Sequence, residues 1–179
     1  AAVPAAPTQL QWNTSAPLPA GDWRDGADCD PAGGRPGNTS SYRVLDIIVE
    51  RLHQFPRVRG VIMWGDSAGG QVLSRYALTT HLSPSHLRRT RILTSNPGSC
   101  PCPSGLRFPY ESIEGRCELG PLAPPDASVV EACPDYNSWR YGLDGDKPPY
   151  VAEGLARGGA ARAEAYDSRS RRRRSESAR

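Results

Sequence analysis

An apolar, β-branched run, V58-R-G-V-I-M-W64, passes through a group of small residues, G65-D-S-A-G-G70, directly into a segment where Val72, Leu73, Tyr76 and Ala77 recur at helical spacing. An apolar run of this length bounded by glycine predicts a strand, Val58–Met63, buried on both faces, and the spacing behind it predicts a helix reaching about Thr80. With so few residues between them, the strand must turn straight into the helix. That order commits the chain to an α/β construction, in which a helix crosses back over a parallel sheet.

The flanking segments agree. N38-T-S-S41 supplies helix-capping residues, and Val44, Leu45, Ile48, Val49 and Leu52 follow at helical spacing, so a helix is expected from Ser41 to Phe55, ending where Pro56 forbids it to continue. A second strand is expected within T90-R-I-L-T-S95, with Ile92–Thr94 beside the first strand. Helix, strand, helix, strand gives a parallel sheet with helices on its faces. Residues 1–37 show neither period and read as an irregular lead-in, and the domain proper is expected over 38–150. Within it, the prolines at 97, 101, 103, 109, 121, 124 and 125 predict a loop-rich C-terminal half. An aromatic-rich segment, 132–150, is expected to pack against the sheet or cover its edge. Residues 151–179 read as a disordered Arg/Ser-rich tail.

Charge separates that tail from the body. The formal net charge is +3, but eight arginines stand against three acids from Arg157 onward, which leaves the rest of the chain slightly acidic. The arginine run over 169–179 carries no aromatic side chain on which bases could stack, so no nucleic-acid partner is expected. No window holds the roughly 18 consecutive apolar residues of a membrane span. Of the cysteines 29, 100, 102, 117 and 133, none shows paired C-x-x-C spacing, so neither a metal site nor a cofactor is implied. One or two disulfides across 97–133 fit them better, and with the sequons at Asn13 and Asn38 they favour a secreted or secretory-pathway protein over a cytoplasmic one.

G65-D-S-A-G69 satisfies G-x-S-x-G. That pattern places a serine on a strained turn between strand and helix: Gly65 and Gly69 keep side chains out of a crowded backbone, Ser67 stands at the top of the sheet as nucleophile, and the Ala68 N–H donates to an oxyanion hole. Trypsin-like proteases also carry G-D-S-x-G, but with a histidine motif far upstream that this chain lacks. Lipases of the SGNH type need a late D-x-x-H, also missing. The bland alternative is a glycine-rich turn in which Ser67 merely caps the helix. An elbow hydrolase runs in the chain order serine, acid, histidine. His53 precedes Ser67, His81 and His86 follow it almost at once, and no histidine occurs later. Asp126, Asp135, Asp144 and Asp146 are available acids that look no different from turn residues. Acid and base are therefore unassigned.

The stretch V61-I-M-W-G-D-S-A-G-G-Q-V-L-S-R-Y-A77 resembles a group of largely uncharacterised microbial proteins of the α/β-hydrolase superfamily, whose elbow usually reads G-H-S-A-G-G-Q with R-Y-A behind it. The likeness extends to S40-S-Y-R-V-L-D46, to Asn96-Pro97 and to C133-P-D-Y-N-S-W-R-Y-G-L143, and so covers roughly residues 12–150. Asp66 stands where the group has His, and N96-P-G-S-C departs from its N-P-S-S-Y. The resemblance implies a partial α/β-hydrolase fold, corresponding to the middle of such an enzyme, with Ser67 as nucleophile and Ala68 as oxyanion-hole residue acting on a small ester or amide. With the acid, the base and the second oxyanion donor outside the matched region, the expected activity is weak or nil. The alternative is a binding or structural protein that keeps the hydrolase-like turn.

Overall fold

The computed structural model describes residues 9–14, 17, 21–31, 37–107, 110–113, 116–119 and 123–159. A 3-10 turn over Trp23–Asp25 leads to α1 (Ser41–His53), β1 (Val61–Asp66), α2 (Ala68–Thr79), α3 (Pro84–Arg88) and β2 (Thr90–Ser95). These are followed by β3 (Tyr110–Ile113), β4 (Arg116–Leu119), α4 (Ala127–Ala132) and α5 (Pro149–Gly154), the last running on into a π-helical turn over Leu155–Gly159. β1 and β2 pair in parallel from Val61↔Thr90 to Asp66↔Ser95, and β3 and β4 form a separate antiparallel hairpin. The fold is a small α/β arrangement around a two-stranded parallel sheet.

α1 starts where expected because the Ser40 hydroxyl accepts the Tyr42 N–H while donating to the Gly26 carbonyl, 2.7 Å away. It buries Tyr42, Asp46, Val49 and His53 and leaves Ile47, Ile48 and Leu52 exposed. α2 lies across the sheet, and Val72, Leu73 and Tyr76 join Tyr42, Val49, Trp139, Tyr150 and Val151 in one core, against which Val61, Met63 and Ile92 pack from the strands.

β1 runs three residues later than its apolar run predicts. Val58–Gly60 lies outside it: the Val58 N–H closes a turn onto Phe55 O, and the Val58 and Arg59 carbonyls accept from the Arg89 guanidinium. Pairing with Thr94 and Ser95 carries the strand through Gly65 and Asp66 instead. Nor is β1 buried on both faces. Ile62, Trp64 and Leu93 are 71, 68 and 52% exposed on the face away from α2, because no described element covers it.

The lead-in is more structured than its composition suggests. Asp22 caps the 3-10 turn with a reciprocal Asp22/Asp25 capping box, and both carboxylates are buried. Asp25 then receives Arg75 of α2 at 3.5 Å and Arg140 at 2.8 Å. The aromatic segment docks here: Trp139 is buried and its indole N–H donates to Asp25 O at 3.2 Å. Packing also continues past residue 150, where a disordered tail was expected to begin. Val151 is fully buried, and a Cβ on Gly154 would fall on the Thr79 carbonyl. Residues 160–179, the rest of that tail, lie outside the described residues. Cys29, Cys100, Cys102 and Cys133 form no disulfide, so the bridges expected across 97–133 do not form among them.

α1, the end of α2 and α5 are pinned together by one buried carboxylate. Asp46 of α1, fully buried, accepts from Tyr76 (2.8 Å) and Thr80 (2.9 Å) on one oxygen and from Tyr150 (2.6 Å) on the other. Burial, together with the carboxylate they donate to, pushes both tyrosines far above the ordinary phenol range, so these protons stay in place.

Candidate functional site

Ser67 occupies the single residue between β1 and α2, with φ 52° and ψ −115°. For a residue with a Cβ this is a sparsely populated conformation, costing on the order of 1–3 kcal/mol, and it persists only where the surroundings enforce it. Here they do. The Ser67 N–H donates to Ser95 O at 3.0 Å, the Gln71 N–H donates to Ser67 O at 3.0 Å, and together they fix the residue against β2 on one side and α2 on the other.

The glycines allow this closeness, though not as the motif alone suggests. A Cβ on Gly65 would lie 2.5 Å from both C and O of Gly69, and one on Gly70 would lie 2.6 Å from Ser95 O. A Cβ on Gly69 would meet nothing within 4 Å. The crowded pair is therefore Gly65 and Gly70. The strand and the helix approach each other at Gly65, and the helix approaches the end of β2 at Gly70.

The Ser67 side chain is exposed and makes no capping bond to α2, which argues against a purely capping role. Intrahelical bonding begins with Gln71, so the N–H groups of Ala68, Gly69 and Gly70 have no acceptor within the helix, and the Ala68 N–H follows the serine directly. Beside this turn β2 is followed by Asn96, which also has positive φ (43°) and donates from Nδ2 to Asp66 Oδ1 at 3.2 Å. Two strained non-glycine residues thus stand side by side at the carboxyl ends of the paired strands, where α/β sheets carry their sites. Asn96 was legible only as part of an Asn-Pro pair, although Asn is among the residue types that tolerate positive φ best. The loop behind it is held to α2 by Arg75, which donates to Ser99 Oγ at 2.7 Å. Gln71 also abuts Gly98.

The histidines are elsewhere. His53 Nε2 lies 3.2 Å from Thr90 Oγ1, and its ring stacks on His86 at 5.3 Å. Thr90 pairs with Val61, at the opposite end of the strands from Ser67. The six-residue strand separates the two ends by roughly 17 Å. His81 follows α2, whose twelve residues span about 18 Å, and its ring stacks on Tyr150 at 3.9 Å with Nε2 donating to Tyr150 O. None of the three imidazoles is brought to Ser67.

The candidate acids are also apart from it. Asp135 accepts from Ser138 and Asp144 from Asn137, both inside the 135–146 turns. Asp126 stands at the start of α4. Asp135 and Asp146 line a cleft of 520 Å³ with Trp139, Arg140 and Tyr141, and Ser67 is not part of its wall. Among the described residues no cluster of His, Cys, Asp and Glu could hold a metal ion, and no helix is long and apolar enough to cross a membrane.

Comparisons with protein-family models, with curated proteins and with solved structures find no match for this chain. What the site can do rests on its own geometry. It offers an exposed hydroxyl on an enforced turn, a free backbone N–H beside it, and no imidazole within reach.

Proposed function

We propose that Ser67 is the nucleophile of an elbow of the α/β-hydrolase type, serving acyl transfer from a small ester or amide, and that the chain attacks slowly because no base stands beside the hydroxyl. The observation that carries this reading is the Ser67 backbone itself, at φ 52° and ψ −115° between a parallel strand and a helix, with its hydroxyl exposed and uncapped. A serine that served only to cap would sit in the extended region and bond to the helix N–H groups. In the proposed step Ser67 Oγ bonds to the acyl carbon, the carbonyl electron pair moves to oxygen, and the Ala68 N–H faces the resulting oxyanion. The proton lost from Oγ passes through solvent water to the leaving alcohol or amine as the carbonyl re-forms and that bond breaks, and a second water then hydrolyses the acyl-serine, releasing the acid and returning a proton to Oγ.

The serine proton is the difficulty. A serine hydroxyl is almost wholly protonated at neutral pH and needs a positioned base. Loss of one member of a triad leaves only about 10³–10⁴-fold catalysis from the oxyanion hole and binding. The placement of the three imidazoles favours the second reading, a binding or structural protein that keeps the turn without its chemistry.

A fluorophosphonate probe separates the two. Slow labelling of the folded chain that disappears in Ser67→Ala supports the nucleophile, and a folded sample that never labels sinks it.

A further inference from the structure

The remaining cluster of titratable groups lies at the other end of the sheet, where the last turn of α1, the whole of α3 and the first residue of β2 meet. The tautomer of His53 follows from its neighbours. The Thr90 hydroxyl donates its single proton to the His86 carbonyl, 2.9 Å away. Towards His53 Nε2, at 3.2 Å, Thr90 Oγ1 must then accept, so the imidazole carries its proton on Nε2 and presents a bare lone pair at Nδ1. Nδ1 is buried and meets no partner among the described residues.

We propose that His53, Thr90 and the His86 carbonyl form an acid-sensitive latch, closed while His53 is neutral and released when a proton is added at Nδ1. The added proton would create a cationic N–H in a buried position with no acceptor, and such a group is costlier than either the neutral ring or a solvated cation. The charged and titratable groups facing it give no relief. From α3 comes the His86 ring, stacked at 9° to His53, and from the α3–β2 junction comes Arg89, fixed by the Val58 and Arg59 carbonyls. On α1 itself, Arg51 is turned to Gln54 and Glu50 is paired with Arg43. The carbonyls at the end of α1 favour a cation, but that effect is weak and fades within the last turn, whereas the missing acceptor is a direct contact loss. Burial first, then Arg89, then His86 hold His53 below its ordinary value of 6.5.

The direction of the pH effect follows. With the folded pKa below the unfolded one, the unfolded chain binds the proton first. The stabilisation is complete above about pH 6.5 and is lost as the pH falls from there towards the folded value. What comes loose is the end of α1 and its connection to β1. The carboxyl ends of the strands, with Ser67, lie at the far end.

Nitrogen-detected imidazole NMR on the full 179-residue chain, from pH 8 to pH 4.5, tests the latch directly. His53 is expected in the Nε2–H form at pH 7.5 and to titrate below 6.5, with the amides of residues 51–55 and of Thr90 shifting in step. A proton on Nδ1 at neutral pH, a titration at or above 6.5, or amides that stay still while the ring titrates would each overturn it. Replacing the ring by a neutral amide, His53→Gln, should flatten the decline of the urea midpoint between pH 7 and pH 5 relative to the unaltered chain. An equal decline in both rules the latch out, and if the variant does not fold, the ring titration of the unaltered chain decides alone.

Discussion

The two outer glycines of the G-x-S-x-G pattern are expected to respond in opposite ways to the same methyl group. In Gly65→Ala the added carbon falls 2.5 Å from the C and O atoms of Gly69. These are backbone atoms of the first turn of α2, so relief requires moving the helix away from β1 or distorting Ser67. Overpacking of this kind costs typically 1–3 kcal/mol, and a clash with backbone rather than with a flexible side chain puts the loss at the upper end, about 3 kcal/mol. In Gly69→Ala the carbon enters open space, and Gly69 is not among the positive-φ glycines. Removing the extra freedom of glycine from the unfolded chain then stabilises by about 0.4–1 kcal/mol. The expected separation between the two variants is about 3–4 kcal/mol, a large part of the 5–15 kcal/mol that holds a typical domain together. Urea unfolding followed by tryptophan fluorescence reads it. With a slope of about 1–3 kcal/mol per molar, the two midpoints should differ by more than about 1 M, with Gly69→Ala above the unaltered chain. Equal destabilisation by both substitutions would refute the assignment of crowding to Gly65, and with it the account of how the turn is enforced.

Ser67→Gly should abolish labelling by a fluorophosphonate yet raise stability by about 1 kcal/mol, because glycine relieves the strain at φ 52°; a loss of stability would show that the turn is not strained. The labelling rate itself should climb with hydroxide from pH 6 to pH 9 without an inflection near the imidazole range, since the three histidines bond to Thr90, Tyr150 and Ser83; an inflection removed by a His→Gln change would identify a base after all. Asp46→Ala, which strands the hydroxyls of Tyr76, Thr80 and Tyr150, should cost about 3–5 kcal/mol in chemical unfolding, and Asp46→Asn, which keeps an acceptor, clearly less. Trp64→Thr on the bare face of the sheet should change stability by less than about 0.5 kcal/mol, and a loss of several times that would mean the face is covered in solution.

Local chemistry made some elements readable and non-local contacts hid the others. α1 could be placed because its cap, its apolar stripe and the proline behind it all lie within a few residues, and the structure ends it at His53, two residues short of Phe55. β2 could be placed over Thr90–Ser95 because nothing distant shifts it. β1 was displaced because its bounds are set by register with β2 and by Arg89 occupying the Val58 and Arg59 carbonyls, contacts thirty residues away in sequence. Its bare outer face was equally hidden, since an apolar run states that burial is favourable and not that a partner is supplied. The helix over Pro149–Gly154 lacks an apolar period and is held by single contacts, Val151 in the core and Gly154 against Thr79. At the site, Ser67 and the tightness at Gly65 were legible. The strain at Asn96, the role of Gly70 and the burial of Asp22 and Asp25 were not, because each depends on what the fold brings alongside.

The turn and the chemistry of this site are separable, and the structure indicates why. Ser67 is held by a strand that ends at Asp66, by the approach of Gly65 to Gly69, by the Ser95 carbonyl and by the first bond of α2. All of these lie within residues 61–96. None of them uses the side chain of a histidine or an acid. Strain at Ser67 is therefore sustained by local packing and would survive the loss of any histidine or acid, whereas activation of its hydroxyl would require an imidazole, and packing here directs the three imidazoles to Thr90, Tyr150 and Ser83. An exposed serine in an enforced high-energy turn is consistent with a hydrolase elbow, and the imidazole positions explain why such an elbow would react slowly. A single comparison joins the two statements: if a small imidazole added in solution accelerates labelling of Ser67 while leaving Ser67→Ala unlabelled, the turn supplies a competent nucleophile and lacks only its base, and if added imidazole has no effect on a folded sample, the hydroxyl itself is not poised for attack.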